Sequence, residues 1–218
     1  MSDVAAHPPT LARAPIRTLG AGYAKVIERH LLALGERDRY LRFGFPASDE
    51  HVSNYVARLN FSRDEVFGVF NRRLELIAMA HLAYIIDADR THKVEFGVSV
   101  NESARGRGLG AQLFQRAVVH ARNQGVSELY IHALSENAAM LKIARHAGAT
   151  VERDGSESEA HLKLPVADFE SHVSELLQEK LALTDYHLKA QAKQVRSFLG
   201  LLGEIREGVR SAREHASP

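Results

Sequence analysis

The stretch Val98-Ser99-Val100-Asn101-Glu102-Ser103-Ala104-Arg105-Gly106-Arg107-Gly108-Leu109-Gly110 decides how this chain reads: an apolar strand, a glycine-rich loop carrying two arginines, then an amphipathic run from Ala111 to Asn123. A strand that opens through such a loop into a helix leaves backbone N–H groups unpaired at the positive end of the helix dipole. Gly106, Gly108 and Gly110 allow positive φ and a close approach to the backbone, while Arg105 and Arg107 add positive charge. The loop from Arg105 through Leu109 to Gly110 therefore suits the phosphates of a nucleotide-like cofactor.

Gly106, Gly108 and Ala111 satisfy the G-x-G-x-x-G/A dinucleotide pattern, and Glu128 stands about 20 residues on, where a ribose-binding acid is expected. Against a dinucleotide domain, Asn101 to Ala104 separate the glycines from the strand, and no second βαβ half accompanies them. A solvated Gly/Arg turn is the plain alternative.

Outward from the loop, the chain divides into elements. Ile16 to Thr18 can start a strand, Ala21 to Leu34 has helical periodicity, and Ser48 to Leu59 predicts a second helix with Ser48 as N-cap. Glu65 to Asn71, Leu74 to Ile85 and His92 to Val100 predict an antiparallel meander, with turns at Asn71-Arg72-Arg73 and Asp87-Ala88-Asp89-Arg90. His81 falls inside the second of these strands, where a satisfied sheet histidine is the commoner role. Glu128 to Ala133 predicts a further strand, and Thr150 to Arg153 with Ala160 to Leu164 a closing hairpin.

The loop, set among these elements, resembles a known motif. Arg105-x-x-Gly108-x-Gly110 is similar to the Q/R-x-x-G-x-G/A motif of the GNAT superfamily of acetyl-CoA-dependent N-acyltransferases, and the companion segments follow in order across roughly residues 16 to 165. The resemblance implies a mixed α/β (α+β) fold with a mostly antiparallel, splayed central sheet flanked by helices. It implies acetyl-CoA (coenzyme A) as co-substrate, no metal, and an amine acceptor, either a small molecule or a protein lysine. Backbone groups of Val98, Ser99 and Val100 then hold the pantetheine arm and the loop holds the pyrophosphate. The segment from Asn137 to Gly148 resembles the family's N-x-x-x-x-x-x-Y-x-x-x-G element, placing Asn137 beside the cofactor, but Ala144 stands where a tyrosine acid is usual. Water, Ser135 or Tyr130 are its possible replacements, and a thiol with a pKa near 8.5 leaves as thiolate with little help.

Bacterial Pat-type protein lysine acetyltransferases also lack this tyrosine, and their acetyltransferase domain is similar here at Tyr40-Leu41-Arg42-Phe43, at Asn137 to Leu141 and at a glutamate matching Glu95. That resemblance makes Glu95 the candidate catalytic base for an ammonium that must lose its proton before attack. Glu95 lies on the strand face opposite Val94, Phe96, Val98 and Val100, so that face must be the acceptor side; otherwise Glu95 is a surface ion-pair residue. A non-catalytic acyl-CoA sensor or assembly module is the alternative reading.

Composition is that of an ordinary globular chain, with 45% hydrophobic and 25% charged residues in 218. A net charge of +1 gives no global case for nucleic acid. The absence of cysteine excludes disulfides and an acyl-cysteine intermediate and suits a cytoplasmic protein. Histidine is frequent, at 12, but no metal-ligand spacing occurs. Residues 1–15 are expected to be a flexible lead without a targeting pattern, and no apolar run is long enough to cross a membrane. The chain thus divides into that lead, a GNAT-like domain over 16–165 and a helical extension over 166–218. In the extension Leu181, Leu188, Val195, Leu202 and Val209 recur every seven residues, with Leu177, Phe198 and Ile205 between. This stripe predicts a homo-oligomer, a dimer through the C-terminal helices, with folding back onto the domain as the other outcome.

Overall fold

The computed structural model describes residues 14–86, 92–166, 175, 177–187 and 189–190. The lead up to residue 13, the turn over Asp87 to Arg90, and the heptad position Leu188 and those beyond residue 190 lie outside the described residues. Seven strands form one sheet in the order β1-β2-β3-β4-β5-β7-β6: β1 (Ile16–Thr18), β2 (Glu65–Phe70), β3 (Leu76–Ile86), β4 (His92–Val100), β5 (Glu128–Leu134), β6 (Thr150–Asp154) and β7 (Glu157–Lys163). Every pairing is antiparallel except β4 with β5.

Helices cover the faces because the strands alternate. On one face α4 (Leu109–Asn123) and α5 (Ala138–His146) bury Leu113, Phe114, Ala117 and Met140 near Phe67, Val94, Phe96 and Ile131. On the other, α1 (Ala24–Leu32) and α3 (Asp49–Ala57) bury Ile27, Leu31 and Val52 against Val66, Phe70 and Met79. Each such fully buried Leu, Ile or Phe contributes about 1.5–3 kcal/mol. Ser48 caps α3, its hydroxyl accepting from the His51 N–H at 3.3 Å.

Two expectations are corrected. The stretch Glu36–Phe43 forms a separate helix, α2, that the periodicity did not reveal, because all of its side chains remain at least partly accessible. Its signals are local: Gly35 before it, Glu36 and Asp38 in the first turn, and Gly44 at φ 81° ending it. Gly110 is not a positive-φ residue; only Gly106 (φ 75°) and Gly108 (φ 69°) in this loop are. Gly110 serves packing instead, since a Cβ there would come within 3.3 Å of Ile143 Cδ1.

The described part of the C-terminal extension is helical over residues 177–187 and packs on the domain. Glu175 binds Arg116 at 2.6 Å, His120 at 2.6 Å and Asn123; Glu179 binds Arg116 at 3.1 Å. Burial would raise the Glu175 carboxyl, but hydrogen bonds from His120, Asn123 and Arg116 outweigh it and hold its pKa at about 2. Further along, Ala182 is buried and Tyr186 stacks edge-on to Phe70 beneath the Arg17 guanidinium, 3.7 Å from its ring centre. The heptad residues Leu177 and Leu181 lie on the other side of this helix, 57% and 69% exposed.

Candidate active site

The pairing of β4 with β5 is short, running only from Lys93↔Glu128 to Glu95↔Tyr130. Beyond Glu95 the strands part, so the β5-facing edge groups of Phe96 to Val100 have no partner in β5 while the other edge stays paired to β3 through Val100. This parting opens a cleft of about 1550 Å³, roomy enough for a large cofactor and an acceptor together. Glu95, Val98, Ser99, Val100, Arg105, Gly106, Gly108, Leu109, Gly110 and Asn137 all line it, whereas Arg107 does not. Arg107 instead donates to the Ser103 carbonyl at 3.2 Å.

The side of the cleft toward the start of α4 is built from backbone. Gly108 is the N-cap of α4 and no side chain caps the helix, so its first N–H groups remain available to an anion. A Cβ on Gly106 would meet nothing within 4 Å, so the loop also has open space beside it. An uncapped helix start, left-handed glycines and unpaired strand edge fit the diphosphate and amide of an acyl-CoA. Arg105 differs from expectation: its guanidinium is paired with Asp38 of α2 across the cleft. Asn137 caps α5 through Met140 N–H at 3.1 Å and donates to the Leu41 carbonyl of α2 at 3.4 Å, bridging the rim.

The side of the cleft toward Glu95 is built from side chains. The Glu95 carboxylate is half-buried and enters no hydrogen bond or ion pair among the described residues. On the same strand face, Arg42 Nη2 donates to Tyr55 Oη at 2.8 Å, and Tyr55 in turn donates to His81 Nδ1 at 2.8 Å. This leaves the His81 proton on Nε2, 3.4 Å from Asp64 Oδ2 without hydrogen-bond geometry. Burial, with the Arg42 charge, depresses His81 to a pKa of about 4 despite Asp64, so it is neutral at pH 7. Burial would raise the Asp64 carboxyl, yet bonds from Arg63 and the Tyr84 N–H hold it below the usual range. One strand over, His30 donates from Nδ1 to the Leu76 carbonyl at 2.9 Å and accepts from Ser99 Oγ at 2.8 Å, and burial lowers it to about 4. This bond ties α1 to the cofactor strand.

Neither side-chain substitute for the missing tyrosine reaches the cleft. Ser135 Oγ is engaged with the Glu157 carbonyl at 2.9 Å and Ser158 Oγ at 2.9 Å, and Tyr130 donates to Glu128 at 2.6 Å; neither lines the cleft. Ala144 is fully buried in the core. Sequence reasoning missed Asp38 and Arg42 as site residues because their helix was missed. The Tyr40-Leu41-Arg42-Phe43 run was the signal pointing there.

The comparisons with known proteins agree with this geometry. The model of the acetyltransferase (GNAT) family matches residues 30–149, more than half of the 218 residues, and the chain belongs to that family. No curated protein matches it. Among solved structures, the GNAT domain of S. lividans PAT is similar at 20% identity, covering 73% of this chain and 100% of its own, with a TM-score of 0.60. A GNAT superfamily phosphinothricin acetyltransferase from Sinorhizobium meliloti, solved with AcCoA, is similar at 14% identity (70% of this chain, 89% of that one, TM-score 0.56). An N-acetyltransferase from Staphylococcus aureus Mu50 is similar at 16% identity (71% and 100%, TM-score 0.55). At these identities the likeness is one of fold. Among the described residues no cluster of three or more His, Cys, Asp or Glu could hold a metal ion, and no helix is long and apolar enough to cross a membrane.

Proposed function

We propose that the chain transfers an acetyl (acyl) group from acetyl-CoA to a primary amine by direct attack in a ternary complex. The observation that carries this reading is the parting of β4 from β5 immediately after Glu95, over the uncapped start of α4. Backbone groups of Val98, Ser99 and Val100 hold the pantetheine amide, and the loop from Arg105 to Gly110 holds the pyrophosphate. Glu95, with no partner of its own, takes the ammonium proton directly or through a water. The amine nitrogen then bonds to the thioester carbonyl carbon, the C–S bond breaks, and CoA departs as thiolate without a side-chain acid. The resemblance to Pat-type enzymes brings protein lysines into the class of acceptors.

Calorimetric titration with acetyl-CoA, followed by thiol release with a panel of amines and lysine peptides, tests the proposal. Binding with amine-dependent thiol release supports it, and absence of binding overturns it. The burial of Ala144 and the distance of Ser135 and Tyr130 from the cleft favour one second reading, an acyl-CoA sensor, which predicts binding without release on any amine. We further propose that the exposed Leu177 and Leu181 belong to a self-association surface. Leu177→Gln with Leu181→Gln should then reduce the mass measured by light scattering.

A further inference from the structure

Arg42 carries far more hydrogen-bonding capacity than the fold uses. Its guanidinium lies flat on β4 at Gly97, where a Cβ would stand 2.7 to 2.8 Å from Cζ and both Nη atoms. Gly97 is two residues past the last β4–β5 pair, so the cation sits where the strands part, on the strand face that carries Glu95. The rings of Phe43 and Tyr55 flank it, with centres 5.3 and 5.4 Å from Cζ. Among the described residues its one hydrogen bond is to the Tyr55 hydroxyl, and it enters no ion pair. Nε is buried without a partner.

A guanidinium partly removed from water and left without a carboxylate is costly, and such groups gain most from a ligand that brings the missing charge. The surrounding network supplies none. Tyr55 accepts from Arg42 and donates to His81, and Asp64 lies beyond His81. Glu95 does not serve either, since it too is unengaged and lines the same cleft. Two opposite charges thus stand side by side on one strand face, each without a partner and neither paired to the other.

We infer that Arg42 is an anion subsite of the acceptor site, and that the accepted amine is a small zwitterion of the amino-acid class, its ammonium at Glu95 and its carboxylate on the free donors of Arg42. This rests on the amine-acetyltransferase reading above and narrows it. A polyamine places a second cation against Arg42 and is disfavoured by like-charge repulsion. A lysine side chain in a neutral peptide leaves Arg42 unpaired and gains nothing from it.

The test uses the full chain, wild type and the variants Arg42→Gln and Arg42→Lys, with the common amino acids each matched to its amide, plus spermidine and an Nα-acetyl-lysine amide. Thiol release from acetyl-CoA gives kcat and KM, and calorimetry gives binding of the same compounds to the CoA-loaded protein. Wild type should prefer an acid over its amide by about 10- to 100-fold in kcat/KM. Arg42→Gln should abolish that preference, mainly through KM, with acetyl-CoA affinity unchanged, and Arg42→Lys should restore part of it. Equal use of acid and amide, preference for spermidine or the lysine amide, or an acid preference that survives Arg42→Gln overturns the inference while leaving amine acetylation standing. If no amine releases thiol, calorimetry decides: Arg42-dependent binding of an acid over its amide upholds the subsite and rejects transfer, and its absence overturns the subsite as well.

Discussion

The two walls of the cleft are made differently. The wall proposed for the cofactor is backbone: an uncapped helix start, two left-handed glycines and the unpaired edge of β4. The wall proposed for the acceptor is side chains held by five separate segments: Arg42 from α2 and Glu95 from β4 line the cleft, and Tyr55 from α3, His81 from β3 and Asp64 before β2 stand behind them. A backbone site is written in a short contiguous run and tolerates side-chain drift, whereas a side-chain site is assembled only by folding and changes one residue at a time.

That contrast can be broken from either wall. Gly108→Glu puts a side chain and a negative charge at a left-handed N-cap and should lower acetyl-CoA affinity by more than about 100-fold with an unchanged circular dichroism spectrum. Undiminished affinity by calorimetry would remove the loop from the cofactor wall. Glu95→Gln should reduce kcat by about 100-fold or more and erase the ascending, acid-side limb of the pH–rate profile, with cofactor affinity intact. A profile of unaltered shape identifies Glu95 as a bystander. Gly97→Ala drives a Cβ into the Arg42 guanidinium. It should raise acceptor KM by about tenfold, and an equal loss of acetyl-CoA affinity would mean the walls are not separable at this strand.

Stability against pH distinguishes them more gently. His30 and His81 both titrate near 4 in the folded protein, below the unfolded value near 6.5, so the unfolded chain binds more protons between those values. Their contribution is complete above about pH 6.5 and is lost as pH falls toward 4. The thermal midpoint should therefore drop across that window, and less so in His81→Gln; an identical drop in the variant assigns it elsewhere. The smallest expected effect is at the C-terminal helix. Glu175→Gln should speed amide exchange over residues 177–187 and leave the sheet protected, and unchanged exchange there would show that the Arg116 and His120 contacts do not hold the segment.

The sheet was legible because its strands alternate or run apolar: β4 was placed residue for residue over His92–Val100, and α3 began at the Ser48 cap its sequence announces. The glycine-rich loop before α4 was legible for the same reason that it is backbone-built. What escaped was α2, whose sequence Glu36-Arg37-Asp38-Arg39-Tyr40-Leu41-Arg42-Phe43 has no core-facing stripe because its exposed side faces solvent and its other side faces a cleft. The C-terminal helix has a second face that heptad spacing does not report. The side docked on the domain carries Glu175, Glu179, Ala182 and Tyr186, which follow the same turn spacing with weaker hydropathy.

The pairing of Arg105 with Asp38 gives the cleft an electrostatic trade to make. The loop arginine nearest α2 is neutralised from across the opening by a carboxylate of the chain itself. On the proposed reading, engaging a pyrophosphate there is a counter-ion exchange, one anion displacing another, and not the capture of an anion by a bare cation. Added salt screens the outgoing contact as well as the incoming one. Cofactor affinity should thus vary less with ionic strength than a loop carrying two arginines suggests.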